Sequence, residues 1–199
     1  MTISKKELLK SILESFDRID YVKSEDIPNI DLYMDQVTTF MDEKMRHATR
    51  LPNDDKILTK TMINNYAKNK LLPPPEKKKY SKEHMIMLIF IYYFKGILSI
   101  GDIQKLFHPL TEKYFGNEDG MNLSDLYDEV FTLENEQVEQ LKRDVTHAFN
   151  RAEKTFTKEG DEEREFLQTF SFICMLSFDV YVKKLLIEKL IDSIDDKAE

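Results

Sequence analysis

Ten consecutive apolar residues near the middle of the chain constrain the fold more than any other feature. They are Met85, Ile86, Met87, Leu88, Ile89, Phe90, Ile91, Tyr92, Tyr93 and Phe94. Ser81 precedes them as a candidate helix N-cap, and Lys95-Gly96 follows as a candidate stop. A helix that is apolar on all sides has to be covered all round, and this one is shorter than the roughly 20 residues that a membrane span needs. We therefore expect it to be the central helix of a protein core.

The composition is typical of a helical globular protein. Of 199 residues, 41% are hydrophobic and 33% are charged, and the chain has only five glycines and six prolines. No alternating apolar pattern with paired turn signals indicates a large sheet. The sequence therefore predicts an all-α fold.

Neither a signal peptide nor a membrane span is visible in the sequence. The first residues lack the apolar stretch of a signal peptide, and no apolar segment reaches about 18 residues. The single cysteine, Cys174, has no partner for an internal disulfide, and its apolar neighbours favour a small buried side chain. These features predict a cytoplasmic protein that does not enter a membrane.

The charge of the chain is unevenly distributed. The net charge is -8, which by itself argues against a nucleic-acid partner. Residues 56–82, however, contain eight lysines and one glutamate, a local charge of +7, whereas residues 121–199 carry a net charge of -9. Phosphate binding depends on such a local field more than on the overall charge. The alternative is a solvated lysine-rich loop beside an ordinary helix.

Two helices are predicted in the first quarter of the chain. Ser4 and Glu7 have the spacing of a capping box, and apolar residues at helical spacing continue to Phe16, so an amphipathic helix is expected over residues 5–18. A second helix is expected over residues 31–47. Arg46 and Arg50 near its end suit either the helix dipole or a phosphate. Residues 49–57 have turn chemistry and form a long connector.

A short helix is predicted after Thr59, a candidate N-cap, and its two sides differ in chemistry. One side is apolar, with Met62, Ile63, Tyr66 and Ala67, and the other consists of Lys60, Thr61, Asn64, Asn65 and Lys68. A helix of about ten residues spans roughly 15 Å and fits a major groove about 12 Å wide. Asparagine can bond the adenine edge there, and lysine can meet guanine or phosphate. The polar side is a candidate DNA-reading surface, although any surface helix has a polar side.

A stiff basic segment comes next. Residues 73–75 are prolines, which favour extended backbone because each ring fixes φ and restricts the residue before it. The segment then runs through Lys77, Lys78, Lys79 and Tyr80. The lysines either contact phosphates beside the groove or lie free in water. A short hairpin at this place has no glycine at its tip.

These parts, in this order, resemble the winged helix-turn-helix of MerR-type regulators. The family pattern threonine-leucine-arginine-tyrosine-tyrosine, followed by glycine-leucine-leucine-proline, is similar to residues 62–66 and 70–73. Asn64 takes the place of the arginine, and Asn65 and Tyr66 take those of the tyrosines. The resemblance implies that this helix enters the DNA groove and that the lysines form a wing. Because the arginine is absent, affinity and target are expected to differ from those of the family.

The resemblance continues after the basic segment. The family has an apolar helix, a break with glycine and a short helix, and here the short helix is predicted from Ser99 to Phe107, ended by His108-Pro109. Over a longer stretch, the chain is similar to an uncharacterised bacterial family of unknown function, DUF1836, which is related to the MerR type. That name carries no activity and lends no functional residues.

The rest of the chain is acidic and helical. Helices are predicted over residues 122–131 and 138–156 and from Asp161 onward, and residues 166–191 are apolar on more than one face. Such a helix is buried within its own fold or in a dimer interface, and a symmetric dimer is the commonest way to cover it. We therefore divide the chain into an N-terminal amphipathic helix (1–25), a MerR-like winged helix-turn-helix (26–118) and an acidic dimerisation or effector region (121–199).

No enzymatic constellation is recognisable. Histidine and an acid share a helical face only at Glu43 with His47 and at Asp144 with His147, fewer than a di-iron bundle needs. Phosphate-binding loops, nucleophile elbows and zinc spacings are absent from the sequence. We expect no catalytic site, no cofactor and no metal.

The sequence thus predicts a dimeric, DNA-binding transcription regulator. The predicted DNA-contacting residues are Lys60, Thr61, Asn64, Asn65, Lys68, Lys77, Lys78 and Lys79. One alternative is a winged-helix module that binds another protein instead of DNA. A second is a sensor that binds a small-molecule effector through the C-terminal helices, which is compatible with either partner.

Overall fold

A computed structural model of the chain describes residues 5–16, 22–46, 49 and 57–195. The described part is mostly helical and contains one two-stranded sheet, which agrees with the predicted all-α class. In chain order the elements are α1 (Lys5–Phe16), a 3-10 turn (Ser24–Asp26), β1 (Leu32–Tyr33), α2 (Met34–Met45), α3 (Lys60–Lys68), β2 (Lys79–Tyr80), α4 (Lys82–Phe94), α5 (Ile100–Tyr114), α6 (Leu123–Thr132), α7 (Glu134–Ala152) and α8 (Asp161–Asp195).

The chain forms two compact units. The first comprises Met1–Asp20 and Leu133–Ile187, and the second comprises Tyr21–Thr132 and Glu188–Glu199. The first unit therefore contains α1, α7 and most of α8, and the second contains every element from the 3-10 turn to α6.

The central helix of the second unit is α4, as the apolar run predicts. Every residue from His84 to Ile91 is buried. Phe90 belongs to an aromatic cluster, with ring centroids 5.5 to 6.4 Å from those of Phe94, Phe107, Tyr127 and Phe131. Because Phe107 lies on α5 and the last two lie on α6, this cluster packs both helices against α4.

A short strand pair connects the start of α2 to the start of α4. In the antiparallel pair, Leu32 lies opposite Tyr80 and Tyr33 opposite Lys79. Leu32 and Tyr80 are buried, so one face of the pair contributes to the core. The helix predicted over residues 31–47 instead runs from Met34 to Met45, because the two residues before Met34 pair with β2.

The prediction that the helix after Ser99 ends at His108-Pro109 is wrong. α5 continues to Tyr114 with Pro109 inside it. A proline within a helix costs about 3 kcal/mol or more. The helix continues nevertheless because apolar side chains on both sides of the proline pack in or against the core. They are Ile103, Leu106, Phe107 and Leu110.

α6 packs within the second unit. Leu123 and Tyr127 are buried in the same core as α4, and the Tyr127 hydroxyl donates a hydrogen bond to the backbone carbonyl of Val22. The Ser24 hydroxyl donates to Asp128 at 2.8 Å. The compact units therefore divide after Thr132, whereas the composition of the sequence suggested a boundary near residues 118–121.

The first unit is built from α1, α7 and α8. α7 ends at Ala152, four residues before the predicted end at Phe156, which lies outside the helix with a φ of 51°. α8 begins at Asp161 as predicted and is 35 residues long. Cys174 on α8 is exposed, which contradicts the prediction of a small buried side chain. Within the described ranges, no helix, α8 included, is both long and apolar enough to cross a membrane.

The hydroxyl of Tyr127 provides a test of the packing of α6. Tyr127→Phe should lower the free energy of unfolding by about 1–2 kcal/mol, because the buried Val22 carbonyl loses its donor. Urea unfolding followed by circular dichroism measures the change. Tyr114→Phe, at a half-buried position at the end of α5, is the matched control and should be nearly neutral. An equal stability of the wild type and Tyr127→Phe would contradict this packing.

Candidate nucleic-acid interface

α3 begins and is oriented as its sequence predicts. Thr59 is the N-cap, and its side-chain oxygen accepts a hydrogen bond from the Met62 amide at 3.2 Å. Ile63 and Tyr66 are buried in the core of the second unit. This apolar side fixes the rotation of the helix about its axis.

The opposite side of α3 is exposed. Its exposed residues are Lys60, Thr61, Asn64, Asn65 and Lys68. The predicted division of this helix into an apolar and a polar side is therefore confirmed. Contact of the polar side with DNA stays a prediction.

α3 ends in a Schellman cap with lysine at the position that glycine usually occupies. The Leu71 amide donates to the Tyr66 carbonyl at 2.9 Å, and the Lys70 amide donates to the Ala67 carbonyl at 3.2 Å. Lys70 has a φ of 57°, in the left-handed region, and its side chain is exposed. A left-handed residue other than glycine costs about 1–2 kcal/mol. The cap is held in spite of this cost because Leu71 and Tyr66 are buried.

The basic segment forms a hairpin of minimal size. The Lys79 amide donates to the Glu76 carbonyl at 2.8 Å, and these residues pair across the turn. Between them, Lys77 and Lys78 have φ values of 49° and 66°. Two central residues with positive φ are typical of a type I′ turn, which favours Asn-Gly. The hairpin therefore forms without glycine, and both lysine side chains at its tip are exposed.

The hairpin is joined to the first turn of α2. Lys79 pairs with Tyr33 in the sheet, and its Nζ lies 5.4 Å from the centroid of the Tyr33 ring. Tyr33 is the N-cap residue of α2, and its amide donates to the Gln36 side chain at 2.9 Å. A cation over an exposed tyrosine ring is stabilised by about 0.5–1 kcal/mol. Lys79 is thus partly engaged within the protein.

The first turn of α2 also contacts α3. The Asp35 carboxylate forms an ion pair with Lys60, the first residue of α3, and both side chains are exposed. Asp35 lies two residues after Tyr33, the residue beneath Lys79. One helical turn therefore brings the start of α3 and the base of the hairpin to the same part of the surface.

The other exposed lysines of this surface are Lys68, Lys77 and Lys78 of the predicted site, and Lys70 after α3. In the part of the chain that the structure describes, Lys68, Lys70, Lys77 and Lys78 make no ion pair. An exposed and unpaired cation on a surface is available to an anion such as phosphate. To bind such an anion, Lys60 would first have to break its ion pair with Asp35, and Lys79 would have to leave the Tyr33 ring.

Arg46, which the sequence assigned either to the helix dipole or to a phosphate, pairs with Asp42 one turn earlier in α2. The Arg46 hydrogen bond and charge hold the pKa of the Asp42 carboxyl below its ordinary value, with burial opposing them. Because both side chains are partly exposed to water, this pair contributes little to stability. Arg50 lies outside the described residues.

His84 is buried behind the hairpin. Its Nδ1 accepts a hydrogen bond from the Ser81 amide at 3.0 Å, which closes the N-terminal capping box of α4. The ring makes edge-on contacts with Tyr80 and Phe115, with centroid distances of 5.5 and 4.9 Å. His84 therefore joins β2, the start of α4 and the segment after α5.

Burial lowers the pKa of His84 below its ordinary value. The carbonyls of Pro73 and Pro74 and the carboxylates of Asp31 and Glu76 oppose this shift because they favour the charged ring. Among the described residues, none completes a well-formed hydrogen bond to the buried Nε2. The neutral ring is therefore the form that this packing accommodates.

Sequence reasoning missed three residues of this surface. Lys70 was not included in the predicted site, although the MerR-type pattern has glycine there and so marks a left-handed position. Tyr33 and Asp35 were missed because their roles come from the neighbours that the fold gives them, Lys79 and Lys60. No local sequence pattern indicates such contacts.

Of the two acid-histidine pairs noted in the sequence, only Asp144 with His147 lies wholly within the described residues. Across the ranges that the structure describes, no group of three or more His, Cys, Asp and Glu side chains is arranged to hold a metal ion. Asp144 accepts a hydrogen bond from Gln140 at 2.8 Å, as an ordinary surface acid does. His47 lies outside the described residues.

Comparison with known proteins gave one match. A family model with the description Domain of unknown function (DUF1836) matches residues 22–131. No curated protein and no solved structure matches the chain. The matched residues include α3, the hairpin and α4.

The cap of α3 yields a prediction about stability. Lys70→Gly should raise the free energy of unfolding by about 0.5–1 kcal/mol, because relief of about 1–2 kcal/mol of left-handed strain exceeds the extra chain entropy of glycine. Urea unfolding measures the difference. Lys70→Ala removes the same charge but keeps the strain, so it should show no such gain. A gain in Lys70→Ala as large as that in Lys70→Gly would mean that charge, not backbone geometry, is responsible.

The burial of His84 yields a prediction about pH. Because the folded state binds this proton less tightly than the unfolded state, stability should fall as the pH drops below about 6.5. Glutamine at this position keeps an acceptor for the capping box but does not titrate. His84→Gln should therefore reduce the loss of stability between about pH 8 and pH 5.5 in urea unfolding. Identical pH dependences for the two proteins would exclude His84 as the cause.

Proposed function

The chain belongs to the family described as Domain of unknown function (DUF1836), and we propose that it is a DNA-binding regulator with a MerR-like winged helix-turn-helix. In this proposal, the polar side of α3 faces the major groove of duplex DNA. The lysines of the hairpin and of the α3 cap contact the phosphates beside it. Residues 56–82 supply the local positive charge.

The observation that carries the proposal is the conformation of Lys70, Lys77 and Lys78. All three are exposed and have positive φ, where glycine or asparagine would be less strained. Strained backbone concentrates at functional sites, where the side chain or the geometry is needed for a ligand. Since these side chains have no partner among the described residues, a phosphate-bearing ligand accounts for lysine at all three positions.

The size and chemistry of α3 also support the proposal. Its nine residues extend roughly 14 Å, a length that lies within a major groove about 12 Å wide at a moderate tilt. Asn64 and Asn65 carry both a donor and an acceptor and can bond the N6/N7 edge of adenine. Lys68 on the same side can reach phosphate or guanine. The asparagines are therefore assigned to base reading and the lysines mainly to affinity.

Asn64 stands where the MerR-type pattern has arginine. An asparagine side chain is shorter and neutral, so the DNA contact that the resemblance assigns to that arginine is not kept in kind and the helix must approach the DNA more closely. Three lysines at the hairpin and one at the α3 cap supply charge in its place. The proposed site thus relies on the hairpin for phosphate contacts more than the family pattern does.

DNA binding is tested with the full chain and a fluorescent duplex of mixed sequence. Between about 50 and 200 mM salt, the logarithm of the association constant should fall linearly with the logarithm of salt concentration, by about 0.9 for each neutralised phosphate. Fluorescence anisotropy provides both the affinity and the slope. Absence of binding at the lowest salt, with the protein folded, would refute the proposal and favour the protein-interaction alternative.

Paired variants localise the contact. Lys77→Asn with Lys78→Gly replaces the two tip lysines by the dipeptide that a type I′ turn prefers, so the fold is kept while two charges are removed. Its salt slope should be smaller by up to about 2, with weaker binding. Lys154→Gln with Lys158→Gln removes two exposed charges from the first unit and is the matched control. An equal loss in both double variants would show that only total charge matters.

Base reading is separable from phosphate binding in the same system. Asn64→Ala with Asn65→Ala should leave the salt slope unchanged, because neither residue is charged. Selection from a randomised duplex library should yield an enriched sequence with the wild type but not with this variant. The same enriched sequence from both proteins would remove the two asparagines from the proposed reading surface.

A further inference from the structure

Lys60 differs from the other lysines of the predicted site because a carboxylate already holds it. Its ammonium forms an ion pair with Asp35. The other four lysines of that site form no ion pair within the described ranges. One of the four, Lys79, lies over the Tyr33 ring, but a ring does not neutralise its charge. Lys60 is therefore the lysine of this site that is least available to a phosphate.

Both residues of the ion pair are attached to well-ordered backbone. Asp35 lies in the first turn of α2, and its carbonyl accepts a hydrogen bond from the Thr38 hydroxyl at 3.0 Å. Lys60 is the first residue of α3 and directly follows the Thr59 cap. An ammonium has three protons to donate, so the Lys60 ammonium keeps two after it has paired with one carboxylate. Because both side chains are exposed, these two protons can reach a ligand.

Lys60 lies on the side of α3 that is assigned to base reading. It is four residues before Asn64, so the two side chains are neighbours on one side of the helix. Recognition helices of helix-turn-helix proteins contact base edges with their N-terminal residues, and Lys60 is the first residue of α3. One helical turn advances about 5.4 Å, and base pairs are stacked about 3.4 Å apart. The two residues would therefore face bases one or two steps apart.

The chemistry of the pair favours guanine over phosphate as the ligand. In the major groove, guanine presents two acceptors, O6 and N7, which suit the two remaining protons of Lys60. A phosphate on Lys60 would bring a second anion next to the Asp35 carboxylate, and like charges repel at short range. Guanine is neutral and meets no such repulsion. Asp35 thus makes Lys60 a poorer phosphate ligand and leaves it suited to a base.

We propose that Asp35 positions Lys60 to read a guanine, one or two base pairs from the adenine that Asn64 reads. Asp35 is a positioning residue because it acts through Lys60. The inference rests on the proposed DNA binding and adds a base and a residue to it. Specificity is a difference between two affinities. A lysine that is withheld from phosphates adds nothing to the binding of arbitrary sequences and so increases that difference.

The salt dependence of binding distinguishes base reading by Lys60 from phosphate contact. On a fluorescent duplex of mixed sequence, Lys60→Gln should keep the wild-type salt slope, because Lys60 neutralises no phosphate there. Asp35→Asn should steepen the slope by about 0.9, since the released lysine then contacts a phosphate. Combining both substitutions should restore the wild-type slope. Asp35→Glu keeps the charge and should not steepen the slope.

Glu129→Gln is the control for the loss of one negative charge, because Glu129 is an exposed acid on α6, outside the predicted site. Its slope should equal that of the wild type. Two results overturn the inference and leave DNA binding intact: a slope that falls by about 0.9 in Lys60→Gln, or an Asp35→Asn slope no steeper than that of Glu129→Gln. A merely structural role of Asp35 would change urea unfolding but not the slope.

Selection from a randomised duplex library identifies the base. The wild type should enrich a sequence with a guanine that neither Lys60→Gln nor Asp35→Asn enriches, while the neighbouring adenine stays enriched in all three. The ratio of affinities for the enriched and mixed duplexes should be at least about five-fold smaller in Asp35→Asn than in the wild type. One sequence enriched by all three proteins overturns this inference alone. Binding without any enriched sequence overturns base reading as a whole, and no binding of the wild type overturns the proposed function as well.

Discussion

The need to cover α4 on every side determines the arrangement of the second unit. Because the helix has no polar face, the chain before and after it must contribute an apolar surface: the apolar side of α3, Leu71 and Leu72 after it, β2, α5 and α6. The outward polar side of α3 is a consequence of this requirement. Once Ile63 and Tyr66 are committed to the core, Asn64 and Asn65 have to face solvent. The packing that buries the apolar side of α3 thus also exposes the candidate reading surface to solvent.

The positive surface is built at a cost to local backbone stability. Three of its lysines occupy left-handed positions, each about 1–2 kcal/mol less favourable than for glycine. A domain stabilised by only about 5–15 kcal/mol is sensitive to terms of this size. Leu71 and Tyr80, next to these turns, are buried in the core. Their burial offsets the backbone strain because it fixes the chain on the core side. The strained residues therefore lie next to buried ones.

The parts of the fold that local chemistry specifies were predictable from the sequence. The Thr59 and Ser81 caps and the two-sided character of α3 all depend on residues within a turn or two of one another. The passage of α5 through Pro109 and the pairing of β1 with β2 were not predictable in this way, since distant residues supply the packing that outweighs local preference. The exposure of Cys174 was not predicted, because apolar neighbours in the sequence do not ensure that another element packs over the side chain.

The first turn of α2 touches both the base of the hairpin, through Tyr33 and Lys79, and the first residue of α3, through Asp35 and Lys60. The separation between the hairpin and α3 is fixed beneath this turn, because Tyr80 next to the hairpin and Ile63 of α3 are buried in the same core. The number of residues in the connector between α2 and α3 does not enter into that separation. Relatives with longer or shorter connectors would keep the same footprint, so insertions and deletions between these helices are expected to be well tolerated in evolution.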